Sequence, residues 1–442
     1  MGCVSRPTPL ALLLCLPVAA CANSNGGGVH GPVFNVDSGG DVATDVVPDG
    51  SLLDAQPDRH VRDASTQDVH VADARADSAS RDAGREVGPG DASDAAANVC
   101  PSGHGTIALV GGASSVAFGA VSKNGDAFAV TSFSTTSVGA MPGLVALAGG
   151  FLTVFPAATT QVFQSAVYSG TWSTPGTLFA VGDSGGPALG SGAPALVAAG
   201  SSAHLVYLGT DDKFYHDTYA SSAWGPANDP VGGAASQGFG DTAPTAAYAG
   251  STLYAGYNGS NALLYVDPWS AGTWGAAASV TGATVSMAVP PTLATLTGGG
   301  LLFVYESTGG ALYSATYTGG AWSQPIAVNA AAITNSAVSV APLTGGGAVM
   351  VYLGATNALP YFSIYTAAGT PGWSVPAEVY PSSLPLQSAP SVAAGTCGVD
   401  AVAALVETAG VEIVTLGGSA WSQPVVVGGT GSMTYASIAT SP

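Results

Sequence analysis

The residues of this chain best equipped for chemistry are one serine motif, six histidines and five cysteines. Gly182-Asp-Ser-Gly-Gly-Pro187 has the form of a nucleophilic-serine loop. Such a serine needs an imidazole to take its proton and a carboxylate to orient that imidazole. Upstream in the same domain stand only His104, within Gly-His-Gly, and one acid, Asp126. The motif falls where sister repeats carry a linker, so its Gly and Ser read as linker composition. His204 and His216 belong to one hairpin around Asp211-Asp212. Pairing about that turn sets His216 across from Tyr207, and no zinc-ligand spacing results. No phosphate-binding loop is present. The expectation is a protein that is not an enzyme and holds no metal or cofactor.

What recurs instead is tryptophan. Trp172, Trp224, Trp274, Trp322, Trp373 and Trp421 stand 52, 50, 48, 51 and 48 residues apart, each within phrases such as Ala321-Trp-Ser-Gln-Pro325. Trp269 takes the place of the Tyr that precedes most of the others. A period near fifty built only of strand signals predicts the blades of a β-propeller. Within one period, Pro291–Leu296 reads as a first strand and Leu301–Tyr305 as a second. Ala311–Tyr317 reads as a third, and Trp322 opens a fourth. Second strands such as Phe151–Phe155 and Val349–Leu353 are apolar on both faces, which a strand needs only when sheets pack on either side. Third strands alternate, which predicts a more exposed position.

The ends are incomplete. Residues 106–131 offer about three strands without a Trp, and Tyr435–Thr440 begins one further unit. Paired together they would make a composite blade and leave no open sheet edge. The predicted fold is all-β: seven four-stranded blades closed by N- and C-terminal strands, with six blades as the alternative, over residues 100–442.

Residues 1–20 read as an export signal. Arg6 precedes an apolar run too short to span a bilayer, and Val18-Ala-Ala-Cys21 resembles a bacterial lipobox that would leave Cys21 lipidated. Such an anchor holds a protein on a membrane without a spanning helix. Ala22 in place of Asp leans towards the outer membrane or cell surface. Residues 21–99 carry Asp every four or five positions and no aromatic after Phe34. They predict a disordered, extended tether. Cys100 and Cys397 remain in the exported domain and predict one disulfide across the ring closure. The net charge is −19, and beyond residue 100 the only cations are Lys123 and Lys213, which sets nucleic acid and anionic lipid aside as partners.

The strand, glycine turn and Trp-Ser-x-Pro phrase is similar to the repeats of the fucose-binding propeller lectins of bacteria and fungi, over about residues 142–430. That resemblance implies clefts between blades where a stacking aromatic, an Arg and an acid or amide hold a sugar. Each repeat supplies the aromatic, the six periodic tryptophans being the candidates; none supplies the Arg. Aligned ends of the second strands give Pro156, Gly209, Asn258, Glu306, Gly354 and Glu407. Asn258, Glu306 and Glu407 are therefore the candidate polar residues of unequal sites. The expected activity is non-catalytic ligand binding, carbohydrate first. The alternative is a structural or protein-interaction propeller, with a surface protein as partner and tryptophans that only pack.

Overall fold

The computed structural model describes residues 106–441, apart from 113–116, 124–126, 179–191, 226–228, 233–241, 370, 381–383 and 432. The export signal, Cys21, the acidic segment, Cys100, His104 and the serine motif lie outside the described residues.

The described strands build seven antiparallel sheets. Six follow the chain as blades 1 to 6, with innermost strands Gly143–Leu147, Ala195–Ala199, Thr245–Ala249, Thr292–Thr295, Ser339–Pro342 and Ser391–Ala394. Blade 7 is composite. The C-terminal strand Tyr435–Ser441 is its innermost, followed outward by Thr106–Gly112, Ala117–Lys123 and Ala129–Ser134. Thr106 pairs with Ser441 and Gly112 with Tyr435, so both ends of the domain are spent in one sheet. The innermost strands neighbour one another all the way round the axis, so the ring has seven blades.

Blade 4 shows why these residues form these strands. Its second strand, Leu301–Glu306, is buried along its whole length, between a first and a third strand and between two neighbouring sheets. Its third strand, Leu312–Thr318, mixes buried and half-buried positions. Gly319 and Gly320 both take positive φ (62° and 88°), the conformation of a tight hairpin turn whose twist matches the strands. The fourth strand comes in two short pieces, Ala321–Trp322 and Ile326–Ala327, both paired to the third. Between them Ser323 Oγ accepts the Thr316 N–H at 3.0 Å, replacing a ladder bond. Ser173, Ser374 and Ser422 do the same for Val167, Ile364 and Thr415. The Pro that follows lacks an N–H, which suits an outer edge. The Trp-Ser-x-Pro phrase is thus an edge-strand interruption repeated in four blades.

Hydroxyls lock the innermost strands together. Thr245 Oγ1 accepts Leu293 N–H (2.8 Å) and Thr292 Oγ1 donates to the Val338 carbonyl (2.6 Å). Ser339 Oγ accepts Val392 N–H (3.0 Å), Ser391 Oγ accepts Ile438 N–H (3.2 Å), and Ser437 Oγ donates to the Pro142 carbonyl. Five consecutive blades, 3 to 7, each staple the next at the same place in the repeat. The bonds satisfy backbone groups on an edge that has no further strand to pair with.

Candidate functional site

The six periodic tryptophans stand where the fourth strands begin and sit across from one of the last two residues of the third: Tyr168, Tyr219, Trp269, Tyr317, Tyr365 and Leu416. All six are half-buried. Where neighbours are resolved, each indole reaches over the third strand of the preceding blade. Trp224 Nε1 donates to Ser165 Oγ at 3.0 Å, and Trp373 Nε1 to Ser314 Oγ at 2.8 Å. Trp274 meets His216 edge-on (5.3 Å, 89°), Trp421 meets Phe362 likewise (5.9 Å, 82°), and Trp322 joins the cluster around Val266. The structure therefore brings the tryptophans together with neighbouring blades, one in each of six seams. They do not gather into one site.

The three polar candidates are buried. Asn258 Nδ2 donates to the carbonyls of Ser286 and Val289, both at 2.9 Å. Glu306 accepts Ser286 N–H through its backbone carbonyl, and its carboxyl also engages Ser286. These two residues thus grip one segment linking blades 3 and 4. Burial pushes the Glu306 carboxyl above the usual carboxylate range, and the bond to Ser286 opposes this. Glu407 lies elsewhere, accepting from Tyr380 Oη at 2.8 Å and from Leu384 N–H at 3.3 Å, while Tyr380 also bonds Glu412. Burial again raises its carboxyl, the Tyr380 bond lowers it and the Glu412 charge raises it. Strand pairing also corrects the alignment. Pro156, Leu208, Asn258, Glu306 and Leu353 face Phe163, Phe214, Leu264, Leu312 and Pro360. The matching residue of blade 6 is Val406, facing Val411, so Glu407 stands one position beyond.

The histidines behave differently from expectation. His216 pairs in register with Val206, and His204 with Thr218. The two imidazoles still meet, because diagonal residues two apart share one face of the sheet. His204 Nδ1 and His216 Nε2 are 2.9 Å apart, with Thr218 Oγ1 3.3 Å from the former and Trp269 against both rings. Burial drives His216 down to about 3, helped by His204, and lowers His204 as well. Nearby, Asp267 is fully buried and burial pushes it up to about 7, against a bond from Tyr257 Oη at 3.3 Å. Among the described residues no group of three or more His, Cys, Asp or Glu could hold a metal ion.

Two open spaces bear on function. The axis holds a cavity of about 410 Å³ lined by all seven innermost strands with residues such as Leu144, Leu196, Leu293, Val340 and Ile438. Among the described residues its only polar side chains, Thr295 and Thr440, donate their hydroxyls to the carbonyls of Tyr248 and Ala394 in neighbouring blades. The second space lies in the seam between blades 7 and 1. There Trp172 stacks on Phe133, with ring centres 5.1 Å apart and planes 23° apart. Two adjoining cavities of about 410 and 420 Å³ flank the pair, lined by Thr131, Ser132, Thr171, Thr174 and Gln164, with no charged side chain among the described residues. Phe133 lies in a stretch that the repeat pattern does not cover, so the spacing of tryptophans gave no hint of it.

No family model matches the sequence. No curated protein matches it either. Solved structures do resemble the fold. The BP39L lectin from Burkholderia pseudomallei superposes with a TM-score of 0.59 at 12% identity, over 74% of this chain and 96% of that one. AofleA from Arthrobotrys oligospora gives 0.44 at 13% identity, over 69% and 91%. A fucose-specific lectin from Aleuria aurantia gives 0.41 at 14%, over 60% and 87%. At these identities the likeness concerns architecture: the chain folds as a β-propeller.

Proposed function

We propose that this protein is a non-catalytic carbohydrate-binding propeller, held on a bacterial surface by a lipid on Cys21 and lifted from the membrane by residues 21–99. The observation that carries the reading is the seam between blades 7 and 1, where a half-buried pair of aromatic rings borders a hydroxyl-lined, uncharged cleft. Aromatic faces take the C–H faces of sugars, and Thr and Gln side chains bond their hydroxyls. Among the described residues, no acid, His or Arg lines the axial cavity.

The test is a glycan array probed with the full chain carrying Cys21→Ser. Binding to a defined sugar class is expected, and a blank array from folded protein sinks the reading. Wild-type protein should partition into detergent and Cys21→Ser into water; identical partitioning removes the anchor. A protein partner is the second reading. It is favoured by Val375 (74% exposed) and Val426 (59%), large apolar side chains on the outer rim of blades 5 and 6.

A further inference from the structure

We infer that the chain carries one sugar site, at the seam where the ring closes, and that this site takes a neutral sugar residue; the inference rests on the carbohydrate reading above. Four of the other five tryptophan seams show how the indole is held when the seam is filled. The third strand of the preceding blade offers Ser165, His216, Ser314 or Phe362, and the indole is bonded or wedged against it. At the closing seam the corresponding contact is Gly119. A Cβ there would lie 2.1 Å from Trp172 Nε1, so only glycine lets the indole settle this deeply.

The outermost strand of blade 7 then makes the difference. It runs over six residues, Ala129–Ser134, with a bulge at Phe133, where blades 2 to 6 place a two-residue Trp piece. Its Phe133 lies on Trp172 and also meets Phe155 of blade 1 edge-on at 6.0 Å. One ring of the platform thus belongs to the N-terminal strands and the other to blade 1. A sugar resting on both would bridge the closure.

The cleft wall selects the ligand. Thr131 and Ser173 already use their hydroxyls within the chain, on the Gly119 carbonyl and the Val167 N–H. Thr171, Thr174 and Gln164 side chains make no hydrogen bond among the described residues and line the two cavities. They offer neutral donors and acceptors only. Lys213 is committed to Asp211 at 3.1 Å, in blade 2. Among the described side chains of this cleft a uronate or sialate would meet no cation, and the protein around it is acidic.

Equilibrium dialysis of the Cys21→Ser chain against labelled methyl glycosides of neutral hexoses, deoxyhexoses and N-acetylhexosamines, with methyl glucuronide as the acidic counterpart, tests this. One neutral glycoside should bind with a stoichiometry of one, unchanged between 50 and 500 mM salt, and the glucuronide should not. Phe133→Leu and the paired change Thr171→Val with Thr174→Val should each weaken it at least tenfold; the threonines are exposed, so their loss leaves the fold intact. Trp224→Phe should leave affinity unchanged. Bound glycoside should raise Tm, less so in Phe133→Leu. Two or more sites per chain, tight glucuronide binding, or indifference to both the Phe133 and threonine changes overturns the inference while sparing the carbohydrate reading. Failure of every glycoside, with a blank array, removes both.

Discussion

The seam between blades 4 and 5 and the seam between blades 7 and 1 hold the same residue in the same slot and use it in opposite ways. Trp373 is bonded to Ser314 and packs with the cluster around Met350 and Tyr352. Trp172 meets a glycine, leans on Phe133 and borders open space. A repeated aromatic is therefore neither core nor site by nature. What faces it from the next blade decides.

The largest expected effect concerns the other boundary of blade 7. A disulfide from Cys100 to Cys397 would close a loop of nearly three hundred residues, so Cys397→Ser should lower stability by about 4–5 kcal/mol in chemical denaturation. A loss under about 1 kcal/mol would mean that strand pairing alone secures the closure. Next come the tryptophans. Trp373→Ala should cost roughly 3–5 kcal/mol and Trp172→Ala roughly 1–3, because one side of the latter ring is already unpacked. Equal losses would erase the distinction between the seams.

Acidity sharpens it further, because buried titratable groups crowd the seam of blades 2 and 3 and none lines the closing cleft. Asp267 is raised to about 7 in the folded state. Its contribution is intact below the unfolded carboxyl range and fades as pH rises towards 7. Asp267→Asn should therefore stabilise the protein at pH 8, by up to about 4 kcal/mol, and do little at pH 4. His216 has the opposite sign. Its folded value near 3 lies below that of a free imidazole, so its contribution is whole above about pH 6.5 and is lost as pH falls towards 3. Melting curves across pH should show both slopes in wild type and only the His216 slope in Asp267→Asn. The smallest effect is Ser314→Ala, which strands one indole N–H and should cost about 1 kcal/mol.

Much of the architecture was legible because it is periodic. Six tryptophans at near-constant intervals announced the blades, and the unmatched ends announced the composite one. What stayed hidden depends on register, which turn geometry sets and a one-residue slip inverts. Glu407 seemed equivalent to Glu306 because both end an apolar run, yet the tighter turn of blade 6 brings Gly410 opposite it. His204 and His216 do not face each other across the hairpin, and only the diagonal on one sheet face brings them together. Phe133 lay outside the repeat altogether. The inner hydroxyls were visible in Pro244-Thr, Pro291-Thr and Pro390-Ser, a small signal beside the tryptophans.

The innermost strand of blade 7 is made after every other described strand of the ring. Residues 435–441 form the innermost edge of a sheet whose other three strands come from residues 106–134. No closed ring can exist while the chain is still emerging, so the earliest strands must wait, exposed, for the final ones. Completion is thereby tied to the synthesis of residues 435–441, and a chain cut before them yields an open arc with two raw edges in place of a slightly shorter ring.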